Sequence, residues 1–224
     1  MRNISFANGE FYHVYNRGVD KRVVFSDKSD MDRFVQSMEE FNVIEPIGSI
    51  YENSFKKNKL GNPTSKLAEE EEKLVNFVAF CVNPNHYHFL LEQLVDGGVS
   101  MFMKRLGGGY TKYFNEKNKR TGVLFQGKYK ATHIDSNEYL LHVSAYVNLN
   151  DRVHQLGNPT SKLVKSQSSW GEYMRESKSN FCSKNIILEQ FKNIKEYQRF
   201  AESSLENILE RRVDLKEMEK YLLE

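Results

Sequence analysis

The stretch of this sequence that most constrains its fold is a hairpin signature. Leu74–Val82 is a strongly apolar run, Asn83-Pro84-Asn85 is a turn tripeptide, and a strand pattern resumes over His86–Leu94. Two strands joined so tightly must pair antiparallel, since a parallel crossover needs a dozen residues or more. Around this hairpin the pattern alternates. Phe11–Tyr15 reads as a strand ending in the turn Asn16-Arg17-Gly18. Asp27–Phe41 reads as a helix with Met31, Phe34, Val35, Met38 and Phe41 on one side. Ile47–Tyr51 reads as a short strand, and Ser100–Asn118 as a helix that Gly107-Gly108-Gly109 should break, at about 1 kcal/mol per glycine relative to alanine. Val123–Ile134 is strand-like. A further helix is expected over Ser136–Leu149, with Asp135 as N-cap and Glu138 three residues on. These elements favour a compact α+β sandwich over a doubly wound parallel sheet.

Length and composition bound the rest. The 224 residues suit one domain with an appendage, and 39% hydrophobic with 12% aromatic content describes a folded chain. The expected division is a domain over 1–165, with loop insertions at about 52–72 and 156–165, and a helical, charge-balanced extension over 166–224. No run approaches the roughly 20 apolar residues that span a bilayer, and no signal-like apolar region opens the chain. Cys81 and Cys182 are too few for a disulfide framework or a four-cysteine zinc site. A cytoplasmic protein without membrane contact is expected.

The formal net charge of +2 hides a strong asymmetry. Residues 101–134 hold eight basic side chains (Lys104, Arg105, Lys112, Lys117, Lys119, Arg120, Lys128 and Lys130) against the single acid Glu116, a local +7 set against −5 elsewhere. Tyr110, Tyr113, Phe114, Phe125 and Tyr129 are interleaved with them. Cations for phosphates and aromatic faces for unpaired bases are what a single-strand groove uses. A solvated helix face followed by a surface loop has the same composition.

One repeat stands apart. Leu60–Leu67 and Leu156–Leu163 are the same octapeptide, Leu-Gly-Asn-Pro-Thr-Ser-Lys-Leu. Its composition is that of a loop with no core-forming face. A repeated recognition loop is one reading. The other is a translated DNA palindrome, because the codons permitted at each copy's two ends can be reverse complements.

The residues suited to chemistry lie at the hairpin and on the last core helix. His86-Tyr87-His88 opens a strand, and period-two alternation points both imidazoles to one face, close enough to share a metal ion. His142, Tyr146 and Asn150 at spacing i, i+4, i+8 form one helical stripe. Asn150 could supply a ligand oxygen and Tyr146 could reach a substrate beside it; on spacing alone, a core-edge tyrosine and a helix C-cap are the favoured readings.

Here the ordered motifs become recognisable. Tyr12–Gly18 with Phe25 and Asp30, Asn83–Leu91, Gly109–Asn115, Gly122–Tyr129 and Tyr139–Asn150 resemble the single-tyrosine HUH transposases, in the branch associated with repetitive extragenic palindromes. Ser168–Tyr173 and Ile186–Phe191 resemble that branch's C-terminal extension, so the likeness runs over about 10–203. It departs at Asn83, where an apolar residue is usual, at Phe125, where tryptophan is common, and at Asp151, where proline usually follows the asparagine.

The resemblance implies a ferredoxin-like α+β fold: an antiparallel sheet core with helices on one face, plus the C-terminal helical extension. It implies a divalent metal, Mg2+ or Mn2+, at His86, His88 and Asn150, and Tyr146 as the nucleophile that forms a 5′-phosphotyrosine. Tyr139, Tyr113 and Tyr110 compete for that role. The implied partner is single-stranded DNA with a hairpin, bound by Arg17, Lys104, Arg105, Lys112, Lys119, Arg120, Lys128 and Lys130, with Lys21 and Arg22 beside the first turn. The oligomeric state, monomer or homodimer, stays open. The runner-up is a hairpin-binding protein whose catalysis has lapsed.

Overall fold

The computed structural model describes residues 4–53, 72–155, 164–177 and 179–221. Both octapeptide copies, and most of the two expected loop insertions, lie outside the described residues. Five strands form one sheet: β1 (Phe11–Arg17), β2 (Val75–Asn83), β3 (His86–Gln93), β4 (Lys130–Ile134) and β5 (Gln167–Ser168), in the order β4-β1-β3-β2-β5. Every neighbouring pair is antiparallel. The helices are α1 (Lys28–Glu40), α2 (Gly98–Lys117), α3 (Asn137–Asn148), α4 (Asn150–Gln155), α5 (Trp170–Tyr173), α6 (Asn185–Leu188) and α7 (Ile194–Tyr221). The succession β1-α1-β2-β3-α2-β4 with central order β4-β1-β3-β2 is the expected α+β, ferredoxin-like plan.

The hairpin closes on the pair Asn83 and His86. From there β3 alternates. Tyr87, Phe89 and Leu91 enter one core with Phe34, Phe102 and Tyr110, while Leu90 enters a second core with Val143, Val147 and Tyr197. Helices α1 and α2 cover the first face. The second is covered too, by α3 with α7 behind it. The reason lies in β2, which is buried at nearly every position and so needs a layer on each side.

Charges tie the first layer. Asp27 caps α1 by accepting from the Asp30 backbone N–H at 2.9 Å, and Asp30 accepts from Ser26 N–H at 2.8 Å, a reciprocal cap. Lys117, at the far end of α2, donates to Asp27 at 2.8 Å and to the fully buried Asp30 at 2.6 Å. One of the eight cations of the basic track is thus a structural clamp.

Four local expectations are corrected. Helix α2 runs unbroken through Gly107–Gly109, because its apolar face of Phe102, Met103, Leu106, Tyr110 and Phe114 is buried and outweighs the glycine cost. Gly109 fits a close approach: a Cβ there would lie 2.7 Å from the Phe41 ring. Residues 50–53 are helical rather than strand, since Ser49 and Glu52 cap each other's backbone N–H. Residues 123–129 form a loop with one bridge, Gly18 to Phe125, and β4 starts only at Lys130. Ser136, not Asp135, caps α3, its hydroxyl accepting from Tyr139 N–H.

Candidate active site

The His pair projects from the sheet face that α3 covers. His88 is 8% exposed and packs between two β1 side chains, Tyr15 stacked on it at 5.4 Å and His13 at 5.1 Å between ring centroids. Tyr146, from α3, meets His88 and His13 edge-on at 5.4 and 5.7 Å. His86 stands at right angles to His88, with centroids 5.3 Å apart.

Asn150 reaches this cluster by a route the spacing did not foresee. Helix α3 stops at Asn148, Leu149 turns with φ −106° and ψ 14°, and Asn150 begins α4. The expected stripe is therefore broken. His142 points away, with Nδ1 3.2 Å from Ser204 Oγ and its ring against Phe200 on α7. Asn150 is fully buried, and its Oδ1 lies 3.1 Å from His86 Nε2.

Hydrogen bonds fix which nitrogen of His86 carries a lone pair. Asn85 Nδ2 donates to the Lys21 carbonyl, so Asn85 Oδ1 faces His86 Nδ1 at 2.6 Å and accepts its proton. In the neutral ring Nε2 is then the lone-pair nitrogen, and it faces the carboxamide oxygen of Asn150. His88 Nδ1 lies 2.9 Å from His13 Nε2. Burial lowers the His13 pKa to about 4, which keeps that ring neutral at pH 7. Metal binding through His88 Nε2 requires the shared proton on His88 Nδ1, with His13 accepting. A hydrogen bond of this kind on the far ring nitrogen is what orients metal-ligating imidazoles.

The residues fit a divalent cation. Two lone-pair atoms converge to 3.1 Å, and the buried Asn150 Nδ2 has no partner among the described residues. Its oxygen therefore accounts for every hydrogen bond this amide makes. No three His, Cys, Asp or Glu side chains among the described residues form a metal cluster. A cation here would take two imidazoles and a carboxamide, a mixed set that manganese, cobalt or zinc tolerates and that magnesium, which prefers oxygen, suits less well.

A cleft of about 530 Å³ opens on His86, His88 and Tyr146, with Arg17, Lys21 and Lys130 on its walls. On the other flank of Tyr146 a hollow of about 450 Å³ holds His13, Tyr139 and His142. A groove of about 790 Å³ runs between α2 and the 123–129 loop, lined by Lys104, Lys112, Lys128 and the backbone of Gly107 and Gly108. Asn16 borders both groove and first cleft. Lys119 is exposed. The two guanidinium groups of the track are engaged within the chain: Arg105 donates to the carbonyls of Val43 and Ile44, and Arg120 to Asn115 and the Val123 carbonyl.

The competing tyrosines separate by position. Tyr110 is fully buried, donates to the Val24 carbonyl at 2.6 Å, and burial pushes its phenol far up. Tyr113 donates to Asp30 on the opposite face of the sheet. Of these three competitors, Tyr139 is the one that lines a hollow with Tyr146. His13, Tyr15 and Asn85 stand within the recognised motifs but were given no role at the site, and neither was Ser166. His13 and Tyr15 were within reach, because alternation in Phe11–Tyr15 puts them on one face, next to the hairpin strand once β1 is its neighbour.

Residues 50–150 match the family model described as transposase IS200 like. That span holds the hairpin, the basic helix and the tyrosine helix. A solved structure described as the REP-associated tyrosine transposase bound to a REP hairpin matches at 13% identity, covering 78% of this chain and 85% of that one, with a TM-score of 0.49. No curated protein matches the chain.

Proposed function

We propose, from the IS200-like transposase match over residues 50–150 and the geometry of the His face, that this chain is a metal-dependent single-strand DNA endonuclease and strand transferase acting at hairpins. The observation that carries the reading is the convergence of His86 Nε2 and Asn150 Oδ1 to 3.1 Å, with the Tyr146 ring against His88. His86, His88 and Asn150 would hold the cation, which when bound draws charge from a phosphodiester and orients it. The hairpin as substrate follows from the motif resemblance.

The chain's own groups do the rest. Arg17, Lys21 and Lys130 line the cleft and hold backbone phosphates by charge. The groove carrying Lys104, Lys112 and Lys128 continues that track past Asn16, and the exposed Lys119 extends it. Tyr146 Oη attacks the scissile phosphorus in line. One bond forms between Oη and phosphorus as the bond to the 3′ oxygen breaks, leaving a 5′-phosphotyrosine and a 3′-hydroxyl once that oxygen takes a proton. The phosphoester energy is retained, so a second 3′-hydroxyl can reverse the step and join strands without a nucleotide cofactor. His13, as acceptor for His88 Nδ1, would hold the imidazole in its metal-binding tautomer.

The test is a denaturing-gel assay for a protein–DNA adduct on a hairpin oligonucleotide with Mn2+. Wild type should form the adduct, Tyr146→Phe should form none, and Tyr139→Phe should retain it. An adduct that persists in Tyr146→Phe moves the role to another tyrosine. Hairpin binding without nicking at any divalent metal would leave the lapsed, DNA-holding reading in its place.

A further inference from the structure

Asn83 ends β2, at a position where the resembling family carries an apolar residue. Its Nδ2 lies 2.9 Å from Asn150 Oδ1 and 3.0 Å from His86 Nε2, which are themselves 3.1 Å apart. The three atoms form a nearly equilateral triangle. Two of its corners are lone-pair atoms, and lone pairs facing each other at that distance repel unless something positive lies between them. The two amide hydrogens of Asn83 take that place, one toward each corner.

The same triangle has the dimensions of a metal site. Ligands in adjacent positions of an octahedral cation at about 2.1 Å are about 3.0 Å apart. Only the identity of the third atom is wrong, a donor nitrogen where a ligand oxygen is needed. The other end of the Asn83 amide supplies that oxygen: Oδ1 accepts from Ser166 Oγ at 2.8 Å. A hydroxyl can give or accept, so a half-turn about χ2 puts Oδ1 at the corner and lets Nδ2 donate to Ser166.

We propose that Asn83 is a fourth protein ligand of the metal, delivered by a half-turn of its amide that Ser166 accommodates. Without the ion, Asn83 Nδ2 holds the His86 and Asn150 lone pairs by hydrogen bonds. With it, those bonds are exchanged for coordination by Oδ1. Two imidazoles and two carboxamides would then hold the ion. The proposal rests on the reading of His86, His88 and Asn150 as a metal site.

The experiment is calorimetric titration of Mn2+ into the metal-free full chain, needing neither DNA nor turnover. Asn83→Leu should bind at least about tenfold more weakly than wild type. Asn83→Asp, which places a charged oxygen at the corner, should bind about tenfold more tightly. If Asn83→Leu binds as well as or better than wild type, the amide only competes with the ion and the proposal fails. Should the leucine variant not fold, Asn83→Asp decides: affinity equal to or below wild type overturns the proposal. The metal reading itself fails in a different way, with no Mn2+ binding by wild type and no change in His86→Ala.

Discussion

Under α1 and α2 the buried carboxylate of Asp30 is met by Lys117, by the Tyr113 hydroxyl and by the Ser26 backbone N–H. Across the same sheet, under α3, Asn150 is equally buried, yet its Nδ2 has no partner among the described residues, while its Oδ1 shares the Asn83 amide with His86 Nε2. The first face uses polar groups to finish a structure; the second holds them in a state that a ligand would complete. A buried polar group left short of partners costs roughly 1–3 kcal/mol. The one such atom among the described residues, Asn150 Nδ2, belongs to the residue that faces His86 at the basic cleft, where binding would account for that cost.

That contrast breaks first in stability measurements. Phe34 is fully buried, with its ring 4.8 Å from Phe25 and 4.9 Å from Tyr110. Phe34→Ala should cost about 3–5 kcal/mol in urea unfolding, the usual result of emptying a packed aromatic site. His88→Ala, on the other face, should cost less, about 1–3 kcal/mol, since its ring partners stand at an open cleft rather than in a closed core. Equal losses would show that the His face is as structural as the core.

Metal should reverse the order of the two faces. At a Mn2+ concentration about 100 times its dissociation constant, wild type should gain about 2.7 kcal/mol, visible as a rise in Tm. Asn150→Ala should show no such rise while melting, without metal, close to wild type. A rise in both proteins would place the ion elsewhere. Next in size is the clamp. Lys117→Met leaves Asp30 buried with its cation removed, and because Lys117 is about a third exposed the loss should be about 2 kcal/mol rather than the larger value for a fully buried pair. The same variant should bind Mn2+ as wild type does.

The legible and illegible parts of the chain follow the same division. The antiparallel hairpin, the shared face of His86 and His88 and the helix carrying Tyr146 could be read because strand and helix periodicities are local properties. Residues 107–109 could not, because an unbroken α2 depends on burial against α1 and the sheet, which outweighs glycine's local preference. Nor could the break at Leu149, which turns Asn150 toward His86 instead of leaving it in line with His142. The face that His13 occupies was legible, but the roles of His13 and Asn83 stayed hidden for a further reason. Their roles depend on which strands are neighbours and on which end of an amide faces which partner, and a single chain does not display long-range register.

The smallest effect tests the clamp from its exposed side. The hydrogen bond from Lys117, with that from Ser29, holds the Asp27 carboxyl well below the usual carboxylate range. A depressed carboxyl pKa contributes stability that is complete above the unfolded value, near pH 4, and is lost as pH falls further. Burial opposes the Lys117 ammonium, but the bonds it donates to Asp27 and Asp30 prevail and raise its pKa, so it stays charged throughout that window. The Asp27 side chain is 53% exposed, so solvent screens the pair and the contribution should stay below about 1 kcal/mol. Asn is as good an N-cap as Asp, so Asp27→Asn keeps the α1 cap and removes only the charge. Between pH 5 and pH 3 its Tm should fall less steeply than that of wild type, with the two curves converging at the acid end. Parallel curves would mean that Lys117 is held by Asp30 alone, and that the exposed half of the clamp adds geometry without stability.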